Sequence, residues 1–307
     1  MPEQYVTANG VRLAYEQFGR DSDPAIILVM GLGTQLLGWP VAMCEALAEK
    51  GFRVIRYDNR DVGLSEKMEN AHLPQPVSLM VRARLNLPMR VPYTLDDMAK
   101  DLIGLLDALG IDRAHVVGAS MGGMISQIAV AKYGNRFLSL TSIMSSSGDP
   151  KLPGAGRDIV STMVKRSLGI EKPTLENTMA YWRKIGSPGY QPSDEVLKQK
   201  ILDSYERSFH PEGYSRHLAA VIANGSRTRL LKKITTPTLV IHGKNDALVP
   251  VECGIDTARC IPHARLELFN GMGHDLPAPL LPTFVELISE HAHRAATSPA
   301  GPFPSQQ

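Results

Sequence analysis

Short apolar runs alternate along the chain with longer stretches whose apolar positions recur at helical spacing, and this alternation predicts a largely parallel α/β sheet. Two short alternating runs, Tyr5–Thr7 and Val11–Phe18, flank Ala8-Asn9-Gly10 and read as an antiparallel hairpin. Ala25–Met30 (AIILVM) and Phe52–Tyr57 (FRVIRY) have the near-continuous apolarity of buried parallel strands, and they bracket a helix over Val41–Lys50 that Gly51 ends. Thr94 is suited to cap a helix over Leu95–Leu109, whose residues Leu95, Met98, Leu102, Leu105, Leu106 and Leu109 share one face; Gly110 stops it. Strand Ala114–Val117, helix Met121–Tyr133 and strand Leu138–Met144 follow. The rhythm resumes with strand Thr238–His242, helix Val251–Cys260, strand Arg265–Phe269 and a closing helix Leu280–His291.

Between Asp149 and Arg227 no strand pattern occurs, and six prolines punctuate helical or irregular sequence. The chain therefore reads as one core, 1–148 and 228–294, interrupted by a helical cap at 149–227. Ser65–Tyr93 also lacks a strand; its Arg82, Arg84 and Arg90 among leucines read as a solvated amphipathic helix, with a gate or membrane-touching element as the alternative. The tail at 295–307 is poor in core-forming residues and is expected to be flexible.

Composition narrows the function classes. Of 307 residues, 43% are hydrophobic and 21% charged, which is ordinary globular usage and excludes disordered and disulfide-scaffold classes. Lys plus Arg is 33 against Asp plus Glu 31, so no electrostatic footprint for nucleic acid or an anionic membrane exists. Cys44, Cys253 and Cys260 form no CxxC and cannot all pair, pointing to free thiols in a reducing compartment and away from a metal site. The first twenty residues have no apolar signal-peptide region, and no run approaches membrane-spanning length, so a cytoplasmic location is expected.

The most informative segment is Gly118-Ala119-Ser120-Met121-Gly122, a G-x-S-x-G placed where a buried strand ends and a helix begins. The sharp turn crowds the serine backbone, and glycines two positions to either side remove Cβ atoms that would clash. A serine hydroxyl is a weak nucleophile, so this reading needs a base and an orienting acid further along the chain. Asp246 follows strand Thr238–His242, and His274 follows strand Arg265–Phe269; both lie at carboxyl ends, where catalytic loops of an open parallel sheet gather. Among the nine histidines, His263 precedes its strand, while His115 and His242 read as structural. His210 and His217 lie in the cap, where contact with substrate is open; His72, His291 and His293 have no motif context. Asp149 is the competing acid, and Asp246 is preferred.

A tetrahedral intermediate needs backbone donors for its oxyanion. The N–H of Met121, after the nucleophile, is one candidate; the N–H of Leu32, in Gly31-Leu32-Gly33 beyond strand Ala25–Met30, is the other. A dinucleotide reading of that loop fails, because Leu36 stands where G-x-G-x-x-G needs glycine.

These residues in this order resemble the α/β-hydrolase superfamily from about Val11 to Glu290. Met30-Gly31-Leu32-Gly33 stands in place of its HG oxyanion element, and Asp58-Asn59-Arg60-Asp61-Val62-Gly63-Leu64-Ser65 resembles its D-x-R-G-x-G-x-S segment. Two departures, Met30 for histidine and Asp61 for glycine, together with Gly38-Trp39-Pro40, are similar to the branch of aclacinomycin methylesterase and the LipG-type carboxylesterases. Asp58 and Arg60 read as turn and loop organisers. Epoxide hydrolase and haloalkane dehalogenase readings need an aspartate where Ser120 stands, and the mixed charge of the cap disfavours a proline iminopeptidase.

The resemblance implies an eight-stranded, mostly parallel sheet flanked by helices and a serine carboxylesterase without a cofactor, Ser120, Asp246 and His274 being catalytic. The expected partner is a small to medium, largely apolar ester, with Trp39, Tyr181, Trp182 and Phe209, and also Tyr214, lining its pocket. Acyl transfer or cofactor-free perhydrolysis at the same acyl-enzyme, and methyl-ester hydrolysis of a polyketide-type metabolite, are the alternatives; a non-catalytic binding module would show an incomplete triad.

Overall fold

The computed structural model describes residues 3–69, 78–79, 81–82, 85, 87 and 89–297. Strand β3 (Ala25–Val29) is buried along its whole length, as a parallel strand covered on both faces must be. Its side chains alternate between two apolar clusters: Ile27 and Val29 join Leu102, Leu106 and Ile125, whereas Ile26 and Leu28 join Met43, Leu47, Phe284 and Ile288. That period of two makes the molecule three-layered, with helices on each face of one sheet.

The sheet contains β1 (Gln4–Ala8), β2 (Val11–Phe18), β3, β4 (Arg53–Tyr57), β5 (Ala114–Ala119), β6 (Phe137–Ile143), β7 (Thr238–Gly243) and β8 (Arg265–Phe269), ordered β1-β2-β4-β3-β5-β6-β7-β8. β2 runs antiparallel to β1 and β4, and the remaining pairs are parallel. Asn9 and Gly10 both adopt positive φ, as a two-residue hairpin turn requires. β5 extends two residues beyond its expected end because Gly118 and Ala119 pair with Ser142 and Ile143. Helices α1 (Val41–Glu49), α2 (Leu95–Ala108) and α3 (Met121–Lys132) follow the predicted positions. At the start of α2, Thr94 Oγ1 accepts the Asp97 N–H at 3.2 Å and Asp97 Oδ2 accepts the Thr94 N–H at 3.0 Å.

Four longer helices follow β6: α4 (Arg157–Ser167), α5 (Leu175–Ile185), α6 (Asp194–Arg207) and α7 (Pro211–Asn224). The one-turn α8 (Thr228–Leu231) leads into β7, and α9 (Val251–Cys260) and α10 (Leu281–Thr297) complete the core. α10 continues past His291 to Thr297, a correction to the expected flexible start of the tail: Ala292 is buried, the added residues include three alanines, and Thr297 Oγ1 donates to the His293 carbonyl. The rest of the tail, 298–307, lies outside the described residues, as do Arg84, His72 and much of the 65–93 segment. Within that segment Leu79 is buried while Val81 and Leu85 are exposed. The three cysteines are free and buried; burial pushes the Cys44 thiol up to about 12. No helix among the described residues is long and apolar enough to cross a membrane.

Buried polar ties join α6 and α7 to the loop after β4. Asp61 has no exposed side-chain surface. It receives a two-pronged ion pair from Arg216 of α7 at 2.5 and 2.8 Å, the Tyr93 hydroxyl at 2.8 Å and the Met68 N–H at 2.9 Å. Asp58 accepts the N–H groups of Leu36 (2.7 Å) and Leu64 (2.8 Å) and pairs with Arg207 of α6 at 2.8 Å. Arg60 pairs with Asp101 of α2 and lies over the Tyr93 ring.

Burial alone would raise the Asp61 carboxyl, but Arg216, Met68 and Tyr93 outweigh it and hold the group at about 2. A carboxyl depressed in the folded state contributes stability that is complete above the ordinary value near 4 and lost as pH falls toward 2. The stability gap between wild type and Asp61→Asn, measured by urea unfolding, is therefore expected to be widest above about pH 4 and to close by about 2 kcal/mol on acidification to pH 2. A gap independent of pH across that window would show that Asp61 is not held ionised by the network.

Candidate active site

Three loops at the carboxyl ends of β5, β7 and β8 bring Ser120, Asp246 and His274 together. Ser120 sits between β5 and α3 at φ 55°, ψ −119°, a region non-glycine residues rarely occupy and whose occupancy costs about 1–3 kcal/mol. Its N–H donates to the Ile143 carbonyl at 2.9 Å, and its carbonyl accepts Ser145 Oγ at 2.8 Å and the Met124 N–H at 3.2 Å. The flanking glycines are dictated by backbone contact. A Cβ on Gly122 would lie 2.0 Å from the Val29 carbonyl oxygen, and one on Gly118 would lie 2.3 Å from the Gly122 carbonyl oxygen.

His274 Nε2 lies 2.9 Å from Ser120 Oγ, and its Nδ1 lies 2.7 Å from Asp246 Oδ2. The second carboxylate oxygen of Asp246 accepts the N–H groups of Leu248 (2.9 Å) and Val249 (2.8 Å), so both oxygens are held in place. His274 and Asp246 are each only 6% exposed, which shields their interaction from water. Since Asp246 accepts at Nδ1, that nitrogen carries the proton and Nε2 presents its lone pair to the serine hydroxyl. His242 lies 3.7 Å from Asp246 Oδ2 but bonds the Val249 carbonyl at 2.8 Å, and burial lowers its pKa. Asp149 turns back on its own loop, accepting the Lys151 N–H at 2.9 Å, away from the imidazole.

The histidine loop is clamped by the end of α5. The Ile185 carbonyl accepts the His274 N–H at 2.8 Å, Ser187 Oγ accepts the Gly273 N–H at 2.8 Å, and Asp275 accepts the Ser187 N–H at 3.1 Å. The loop after β3 is clamped by α7. His217, fully buried, takes the Gly33 N–H on Nδ1 at 3.1 Å and donates from Nε2 to the Arg60 carbonyl at 2.8 Å. Desolvation lowers this imidazole to about 4, consistent with the neutral form those two bonds require. Gly33 itself is at φ 63°, and a Cβ there would meet the Tyr214 ring at 2.8 Å. Gly31 lies directly against Ser120: its Cβ position is 3.1 Å from that of the serine.

The structural roles of Arg216, His217 and Gln35, whose amide bonds the Ser204 and Ser208 carbonyls at 2.6 and 2.8 Å, were not legible in the sequence. A polar Arg-His pair followed by Leu-Ala-Ala-Val-Ile-Ala on one helix was the available signal. The residues expected to line the pocket differ in their surroundings. Trp39 has no exposed surface and packs in the core with Met30 and Met43, and its carbonyl accepts Arg56 Nη1. Phe209 is 54% exposed with its ring edge-on to Tyr205. Trp182 lies under Lys200, and Tyr181 under Arg166, whose guanidinium carbon is 4.4 Å from the ring centre. No cluster of three His, Cys, Asp or Glu suited to a metal ion occurs among the described residues.

Residues 24–165 match the family model described as the alpha/beta hydrolase fold. A rhodomycin D methylesterase from Streptomyces sp. (strain C5) is 29% identical, over 97% of this chain and 100% of that protein. A 2-hydroxy-6-oxononadienedioate/2-hydroxy-6-oxononatrienedioate hydrolase from Burkholderia vietnamiensis is 28% identical over 86% of this chain and 85% of its own. Among solved structures, a meta-cleavage product hydrolase from Pseudomonas fluorescens IP01 superposes with a TM-score of 0.74 at 22% identity, covering 95% of this chain and 98% of that one. Sheet order and these similarities show that the chain has the α/β-hydrolase fold and is similar to the rhodomycin D methylesterases.

Proposed function

We propose that the chain is a serine carboxylic ester hydrolase working through an acyl-enzyme, with Ser120 as nucleophile, His274 as general base and acid, and Asp246 as the group that orients the imidazole. The observation that carries this reading is the relay from Asp246 Oδ2 through His274 to Ser120 Oγ, at 2.7 and 2.9 Å. Ser120 Oγ attacks the ester carbonyl carbon while its proton passes to His274 Nε2. The resulting imidazolium, stabilised by Asp246, returns that proton to the departing alcohol as the C–O bond breaks. Water then attacks the acyl-enzyme by the same route, releasing the acid and restoring the serine hydroxyl.

The N–H groups of Met121 and Leu32 are assigned to the oxyanion. Met121 opens α3, so its N–H has no partner within the helix. The Gly33 N–H is already engaged by His217, and Leu32 stands between it and Gly31, which lies against Ser120, so the Leu32 N–H is the assigned donor of that loop. We assign 149–227 to a cap on a core of 1–148 and 228–294; its helices reach both the histidine loop and the oxyanion loop. The esterase and hydrolase activities of the relatives support hydrolysis of esters generally. The near-neutral net charge of +2 fits a small to medium, largely apolar ester as substrate.

Ser120→Ala is expected to lower turnover of a nitrophenyl ester by about six orders of magnitude and to abolish covalent labelling by a fluorophosphonate. Retention of most of the activity would remove Ser120 from the mechanism. In a ladder of acyl chain lengths, turnover should peak at short to medium chains; a maximum at long chains would refute the proposed substrate class.

A further inference from the structure

Tyr181 of α5 and Tyr214 of α7 come together between the two loops that carry the proposed chemistry. The Tyr214 ring packs on Gly33, beside the oxyanion donor Leu32. Tyr181 stands one turn before Ile185, whose carbonyl holds the His274 N–H at 2.8 Å. The two hydroxyls are neighbours, and Asp246 lies close enough to act electrostatically on Tyr181. Arg166 covers the Tyr181 ring, fixed in turn by Glu171 at 3.1 Å and the Asn177 carbonyl at 2.7 Å.

Two phenols carry two O–H protons, and a bond between them would use one. The Tyr214 hydroxyl is fully buried with no well-formed hydrogen bond to the protein, so at least one donor faces no acceptor. A buried donor left unpaired is costly and is retained in native structures where something else completes it. Burial pushes the Tyr181 phenol up to about 12 and raises that of Tyr214 as well, so both remain protonated donors at neutral pH. Arg166 acts on both phenols with a positive field that Glu171, its ion-pair partner, and Asp246 oppose. What would complete an unpaired O–H is a hydrogen-bond acceptor, and a carbonyl oxygen is such a group; a neutral phenol gives a cation no anion to pair with.

We propose that Tyr181 and Tyr214 form a hydrogen-bonding subsite for a second oxygen acceptor of the ester substrate, a carbonyl or phenolic oxygen on its acyl part. The acyl part is the portion that stays covalently held beside the oxyanion loop through both half-reactions. This inference rests on the Ser120 reading and changes the role of the two tyrosines: they were expected as apolar pocket walls and act here through their hydroxyls.

The test is a series of nitrophenyl esters of straight-chain acids and their ketone counterparts, with the ketone at each position from about C4 to C8. At its best position the ketone is expected to raise kcat/KM about tenfold over the plain chain, the discrimination one satisfied buried donor supplies. In Tyr214→Phe and in Tyr181→Phe, which keep both rings, that ratio is expected to fall toward one. No ketone preference at any position in the wild type, or a preference undiminished in both variants, would overturn the subsite. Fluorophosphonate labelling of Ser120 in the wild type separates this from the parent reading: loss of labelling defeats the serine mechanism, whereas labelling without a ketone preference defeats the subsite alone.

Discussion

The close approach of the β5–α3 turn to the end of β3 is the constraint on which the rest of the site depends. Gly122 touches the Val29 carbonyl with no room for a side chain, and Gly118 touches Gly122. This contact fixes the start of α3 against the loop that leaves β3, so the peptide after Ser120 and the peptides of Gly31 to Gly33 lie side by side. Strain at Ser120 is the consequence: the chain must leave β5 and enter the helix within one residue, and φ 55° is the way it does so. The hydrogen bonds from Ser120 to Ile143, Ser145 and Met124 hold that conformation against relaxation. The proposed nucleophile is thus aimed by backbone geometry and not by its rotamer alone.

The helices between β6 and β7 are less separate from the core than their interruption of the βα rhythm suggests. α5 holds the histidine loop through the Ile185 carbonyl, α7 holds the loop after β3 through His217, and both α6 and α7 are ion-paired to the loop after β4. Buried ion pairs are weak evidence for net stability, because desolvation offsets the attraction. Their geometric effect is clearer. Breaking the Asp61–Arg216 pair would leave a charge with no water to solvate it, so sliding α7 over the loop is penalised in every direction. The proposed oxyanion donor is therefore positioned by the inserted helices as much as by the sheet.

The fold was legible because its signals are local and repeated. Apolar runs, Thr94 as a cap and the turn at Asn9-Gly10 each specify structure within a few residues. The meeting of Ser120, His274 and Asp246, the proposed triad, was legible for a different reason: a strand end followed by Asp246 or His274 places each side chain at one sheet edge without any knowledge of packing. What escaped is what depends on tertiary contact. Nothing in the sequence marks His217 as the partner of Gly33, 184 residues earlier. Trp39 reads as a pocket aromatic by composition, and its burial follows only from the packing of α1 against the sheet. α10 ran past its expected end because Ala292 gains burial against the sheet, a gain with no local signature.

The two departures from the family pattern have different physical meanings. Met30 fills space: its side chain occupies the position a Cβ on Gly38 would need, while its carbonyl accepts the Asn59 amide at 2.9 Å, so the change is one of packing beside a retained backbone bond. Asp61 retains the left-handed conformation that glycine adopts freely, at φ 70°, and aspartate is among the few residues that tolerate it. The strain is offset by what the carboxylate gathers: Arg216 from α7, Tyr93 ahead of α2, and the Met68 N–H. Glycine at this position would leave Arg216 buried without its anion, since its other polar neighbour is His210. Aspartate and arginine are thus a matched pair, and the residue that departs from the core's pattern is the one that fixes α7, and with it His217 and Tyr214, over the loop after β3.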